Sequence, residues 1–278
     1  MPDALVSTDW LQTHLAAPDV RVVDATWFLP GIARDPRAEY AAGHIPGAVF
    51  FELDAVCEPK GLHPHTVPSA AKFSSRVRKL GLGDGNRIVV YDNNRFFASA
   101  RVWWMFRFMG HDDVMVLDGG LEKWRAEGRP LTDEPTRPQE RHFTVRQNTL
   151  LLRELDQMRA NVAAKREQVV DARSAGRFHA REPEPRPGLR SGHIPGAKNL
   201  HYAQLVAEDG SLRPAGELRH LLAGAGLDLD RPITTTCGSG VSAALINLAL
   251  FELGERNAAL YDGSWSEWGA QADTPIAR

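Results

Sequence analysis

Residues 43–48 read GHIPGA, and the same six residues return at 192–197, 149 positions later. Around them the two halves of the chain stay in step. VRVVDA (20–25) answers to EQVVDA (167–172), and RIVVYD (87–92) to PITTTC (232–237). VMVLDGGLEKW (114–124) answers to AALYDGSWSEW (258–268). A single six-residue identity could be chance, but four matches in one order at nearly constant offset could not. The chain is therefore read as two copies of one domain, residues 1–130 and 149–278, joined by a linker over 131–148 that is rich in proline and charge. The total of 278 residues fits two domains at about 150 residues each.

Within each copy, short β-branched runs alternate with stretches of helical length. VRVVDA, RIVVYD and VMVLDG each run into Asp and a polar loop, whereas SARVWWMFRFMG (99–110) and VSAALINLALFELG (241–254) are long enough for helices. Strands that alternate with helices imply an α/β fold, a parallel sheet with helices on both faces. Ligands in such folds bind beyond the carboxyl ends of the strands.

The composition narrows the chemistry. A net charge of −2 argues against a nucleic-acid surface, and no apolar run is long enough to span a bilayer. The acidic N-terminus lacks the basic segment of a signal peptide, and two cysteines, Cys57 and Cys237, cannot build a disulfide framework; both features fit a reducing, cytoplasmic setting. No His/Cys cluster has metal-ligand spacing, and no G-x-G-x-x-G follows a strand, so neither a metal nor a cofactor is expected. His44 and His193 lie in the repeated turn, Asp118 and Asp262 in DG turn signals, and Trp124 and Trp268 at helical spacing beyond them. All six read as structural.

Cys237 differs. It ends the run ITTT and opens the loop CGSGVSA (237–243), which leads into the apolar helix. Gly238 and Gly240 let successive N–H groups turn inward on one point, and the following helix adds its positive pole. Such a cradle stabilises a thiolate, or a persulfide anion, at the loop's centre. A Cys-x5-Arg phosphatase loop is excluded, because Ala243 stands sixth after the cysteine and the loop carries no cation. Sulfur transfer needs only the ring of amides.

At this point the chain resembles the rhodanese superfamily over essentially its whole length, on the tandem arrangement, both GHIPGA segments and CGSGVSA. The loop resembles the Cys-Gly-Ser-Gly-Val-Thr of 3-mercaptopyruvate sulfurtransferases, with Ser242 keeping the hydroxyl of Thr. Thiosulfate sulfurtransferases typically carry Arg-Lys after the cysteine. The resemblance implies that Cys237 is the nucleophile, with Gly238, Gly240, Val241 and Ser242 lining the substrate loop. It implies that Arg177 and Arg186, in GRFHAREPEPRPG (176–188), hold the substrate carboxylate, for which a guanidinium fork is suited. It further implies a relay of Ser239, His65 and Asp54, and a cleft between the copies. His63 competes with His65 for that place.

In the first copy Asp92 stands where Cys237 stands in the second. A carboxylate cannot carry sulfane sulfur, so this copy is expected to be catalytically silent, with Arg95 or Arg101 facing the cleft. The expected reaction takes sulfur from 3-mercaptopyruvate to a thiol, a thioredoxin-type acceptor or cyanide, releasing pyruvate. A thiosulfate:cyanide sulfurtransferase and a non-catalytic persulfide carrier remain as alternatives.

Overall fold

The computed structural model describes residues 3–60 and 63–278, the side chains of Pro59 and Lys60 excepted. Its strands, in chain order, are β1 (Leu5–Val6), β2 (Val20–Asp24), β3 (Val49–Phe50), β4 (Glu58–Lys60), β5 (His63–Thr66), β6 (Arg87–Tyr91) and β7 (Val114–Leu117). They continue with β8 (Leu152–Arg153), β9 (Gln168–Asp171), β10 (Lys198–Asn199), β11 (Ile233–Thr236) and β12 (Ala259–Tyr261). One five-stranded parallel sheet has the order β1-β7-β6-β2-β3 and the other β8-β12-β11-β9-β10. Strand for strand the two orders are the same, so the repeat in the sequence is a repeat in the fold.

The strands β7, β9 and β11 are buried along their length and β6 at all but its first residue, as parallel strands covered on both faces must be. The helix Ser99–Phe108, after β6, is buried at every position; in Ala243–Glu252, after β11, only the last residue escapes burial. Neither is amphipathic, because neither has a face left for water. The repeated GHIPGA does the same work twice. His44 and His193 stack on Tyr40 and Phe178, and each ring Nδ1 lies 2.8 or 2.9 Å from a backbone carbonyl. Trp124 and Trp268 are fully buried, and their indole N–H groups donate to Pro130 O and Pro275 O.

Two compact units form, and neither is one contiguous half of the chain. The first holds Met1–Val56, Pro68–Asn148 and Ala207–Leu212; the second holds Cys57–Val67, Thr149–Val206 and Arg213–Arg278. Each copy thus lends a short segment to the other's unit, and the two segments are equivalent in the repeat. Val67 N donates to Asp262 Oδ2 at 2.8 Å in the second unit, and Leu212 N to Asp118 Oδ1 at 2.8 Å in the first. Read as turn residues in the sequence, Asp118 and Asp262 also fasten these lent segments. The stretch 131–148 runs along the first unit: Asp84 N donates to His142 O, Asn148 N to Phe108 O, and Phe143 is buried against Phe73 and Phe106.

Candidate functional site

Cys237 lies at the carboxyl end of β11, buried, and the loop that follows bends through Gly240 at φ +78°. The loop is pinned from the last helix, Ser264–Trp268: Trp265 N donates to Cys237 O at 3.0 Å and Ser266 N to Gly238 O at 2.9 Å. Cys237 N in turn donates to Ser264 Oγ. Ser239, Val241 and Ser242 are all buried. Among the described residues no N–H donates a hydrogen bond to Cys237 Sγ, so the convergence expected of this loop is not drawn onto the sulfur itself.

It is drawn in the first unit instead. Asp92 ends β6 as Cys237 ends β11, and Leu121 N donates to Asp92 O as Trp265 N does to Cys237 O. The Asp92 carboxylate, fully buried, accepts four backbone N–H groups: Asn94 and Phe96 on Oδ1 at 3.0 and 3.1 Å, Ala98 and Ser99 on Oδ2 at 2.9 and 2.8 Å. This is an amide nest closed on an anion.

The arginines come from the segment after β9, Arg177 in the short helix Ala175–Phe178 and Arg186 in the loop beyond it. The Arg177 guanidinium stands against the cysteine loop: a methyl group built on Gly238 would lie 3.0 Å from its Nη2. Arg177 Nη2 also donates to Glu184 Oε2 at 2.6 Å, and Arg173 Nη1 to Glu184 Oε1 at 2.7 Å. Arg173 is itself held by the Asp171 carboxylate and by Gly192 O, and it lies over the Trp265 ring at 4.3 Å. Burial works against the Arg173 charge, but Asp171 and Glu184 outweigh it and hold its pKa above the ordinary value.

Arg186 is half-buried, and among the described residues it makes no salt bridge. Burial draws its pKa down, Cys237 opposes that, Arg177 adds to it and Glu184 opposes it. Tyr202 belongs to the same neighbourhood. Burial raises its phenol and the charge of Cys237 raises it further, while Arg177 opposes. Its N–H donates to Ala172 O, and Ala172 N to Thr236 O, so its backbone lies beyond the end of β9, on the side away from the cysteine's strand.

Of the relay residues, His65 and Ser239 belong to the second unit and both are buried; His65 has a left-handed backbone, φ 65°. Asp54 belongs to the first unit and accepts from Trp27 Nε1 at 3.1 Å on both oxygens. Arg95 pairs with Glu122, and Arg101 is completely buried over Trp104. Among the described residues no helix is long and apolar enough to cross a membrane.

The sequence reading passed over Asp171, Arg173, Glu184 and Tyr202. A signal was present: VVDAR in the second copy replaces VVDAT in the first, and EPEPR supplies a carboxylate beside its arginine.

Two copies of one α/β domain, with a buried cysteine at a strand end in one and an aspartate in the other, define the class. The rhodanese-like domain matches residues 7–127 and 154–271, and the chain belongs to that family. It is a sulfurtransferase of the 3-mercaptopyruvate/thiosulfate type. It is 40% identical to the 3-mercaptopyruvate sulfurtransferase of Escherichia coli K12, over 98% of this chain and 96% of that one. It is 41% identical to the thiosulfate sulfurtransferase of Cricetulus griseus, over 97% and 93%. The crystal structure of SseA from Escherichia coli, described as a 3-mercaptopyruvate sulfotransferase, superposes with a TM-score of 0.87 at 37% identity, covering 95% of this chain and 99% of that one.

Proposed function

We propose that the enzyme moves sulfur from 3-mercaptopyruvate to a thiol acceptor through a persulfide on Cys237. The observation that carries this reading is the nest around Asp92. Its four N–H groups meet oxygens that stand two bonds beyond Cβ. At the equivalent strand end in the second unit, Cys237 Sγ stands only one bond beyond Cβ. The outer sulfur of a persulfide stands two. A loop of this family closes on an anion at that reach, and the persulfide supplies the anion that the thiol lacks.

In the first half-reaction the Cys237 thiolate attacks the donor sulfur. The C–S bond breaks, its electron pair leaves with carbon as the enolate of pyruvate, and the thiol proton passes to that carbon. Cys237 is left as Cys–S–S⁻. In the second half-reaction an acceptor thiolate attacks the outer sulfur and frees the Cys237 thiolate. Arg177 and Arg186 seat the donor carboxylate through charge-assisted bonds. Ser239 and His65 are assigned to the proton transfers; Asp54 joins them on the family resemblance alone. The N-terminal copy, with Asp92 at the nucleophile position, is silent.

The Arg-Lys pair typical of thiosulfate sulfurtransferases is absent after Cys237, which favours the carboxylate donor. Intact-mass spectrometry after exposure to 3-mercaptopyruvate tests the reading. One added sulfur, mapped to Cys237 and lost in Cys237→Ser but retained in Cys57→Ser, is expected. Sulfur mapped to Cys57 would overturn it.

A further inference from the structure

Glu184 is the carboxylate through which the arginine at the cysteine loop is tied to the core. From the sheet outward, four charges alternate. Asp171 at the end of β9 holds Arg173, Arg173 holds Glu184, and Glu184 holds Arg177. The first three side chains are 1–2% exposed and Arg177 is 22% exposed, so the chain runs from the interior to the rim of the site. Both Glu184 oxygens are committed, Oε1 to Arg173 and Oε2 to Arg177. The Nε–Nη2 edge of the Arg177 guanidinium is thereby fixed on Glu184, the same Nη2 lies against Gly238, and Nη1 makes no hydrogen bond among the described residues. The first copy has Thr26 where the second has Arg173, so this arrangement belongs to the copy with the cysteine.

The four charges cancel. Arg186, with no salt bridge among the described residues, is then the uncompensated cation beside Cys237. Glu182, the nearest other carboxylate in this loop, is exposed, accepts from Ser174 and is screened by water. Apart from the Cys237 thiolate, which is spent on the donor sulfur, these five side chains carry one net positive charge, on the half-buried Arg186. One positive charge matches a donor with one carboxylate and under-serves a donor carrying two negative charges.

We propose that Glu184 is a specificity-determining and positioning residue: it orients Arg177 and holds the site to the single positive charge that balances a monoanionic sulfur donor, discriminating against dianions such as thiosulfate. The proposal rests on the reading that Arg177 and Arg186 seat the donor carboxylate.

The test measures kcat and KM of the full chain for 3-mercaptopyruvate and for thiosulfate. In Glu184→Gln the ratio of kcat/KM for thiosulfate to that for 3-mercaptopyruvate should rise about tenfold, or about 1.4 kcal/mol. KM for 3-mercaptopyruvate should rise while its kcat holds, since the carboxylate is bound in ground and transition states alike. Glu184→Asp keeps the charge but shortens the reach, so KM should rise for both donors with their ratio within about twofold of wild type. Equal losses for both donors in Glu184→Gln, or an equal shift of ratio in Glu184→Asp, would make Glu184 a strut only and overturn the proposal. Should Glu184→Gln fail to fold, the wild-type enzyme decides: pyruvate should compete with 3-mercaptopyruvate about tenfold better than malonate, and equal competition by malonate overturns the proposal. Unchanged kcat/KM for 3-mercaptopyruvate in Arg177→Ala would bring down the arginine reading itself, and this proposal with it.

Discussion

Arg177 and Arg186 differ in how far the protein already satisfies them. Arg177 has a buried carboxylate partner and Arg186 has none among the described residues. On the proposed reading each gives the donor carboxylate a charge-assisted bond worth about 1.5–3 kcal/mol. Truncating either to alanine should therefore lower kcat/KM for 3-mercaptopyruvate roughly ten- to hundredfold, mostly through KM. Stability should separate them. Arg186→Ala removes a half-buried, unpaired charge and should leave the denaturation midpoint unchanged or slightly higher. Arg177→Ala strips Glu184 of one of its two arginines and should lower it, because a buried carboxylate that loses a partner costs more than an exposed one. Kinetics and urea denaturation of the two variants check this; equal destabilisation by both would contradict it. Arg177 and Arg186 were named in the sequence by the family pattern alone, since arginines in a Pro-rich loop read as readily as solvated charges. Glu184 was not, because a carboxylate between prolines reads as solvated until the fold brings Arg173 behind it.

The strand-loop-helix element occurs twice, once ending in Asp92 and once in Cys237, and the pair shows what such a loop is shaped to hold. The Asp92 nest predicts a large local cost of emptying it. Asp92→Ala leaves three buried N–H groups and one part-buried one without an acceptor and should destabilise the chain by at least about 3 kcal/mol. Asp92→Asn keeps one oxygen and should lose roughly half as much. Chemical denaturation measures both, and an alanine variant within about 0.5 kcal/mol of wild type would mean the nest contributes nothing. At this scale the sequence was informative about type and order. The β-branched runs, the apolar helices and the repeat together specified two α/β copies, and the structure has them. What the sequence hid was the contrast between the loops. Two glycines announce an amide cradle at Cys237, yet the hydrogen bonds are made at Asp92, in a loop with no glycine, where the anion is covalently supplied.

At the scale of the whole molecule the units are interleaved in sequence, because each copy gives the other a strip of chain. Periodicity and repeats could not reveal this. A lent segment looks like any loop, and its anchor, an Asp in a DG signal, looks like any turn. The anchors are nonetheless specific. Burial raises the Asp118 carboxyl above its ordinary value, and the Leu212 N–H it accepts opposes that rise. Asp262 accepts the Val67 N–H in the equivalent way. A fragment cut at residue 149 therefore lacks Cys57–Val67, a part of the unit that contains Cys237. It loses the bond to Asp262, the β4–β5 pair and His65 together. Residues 149–278 alone should consequently unfold at lower urea than the full chain and transfer sulfur roughly tenfold more slowly or worse. The complementary fragment 1–148 should be inactive, since Asp92 cannot carry sulfur. Activity assays and urea denaturation of both fragments check this. A 149–278 fragment as stable and as active as the full chain would show that the lent segment contributes neither structure nor chemistry to the unit it joins.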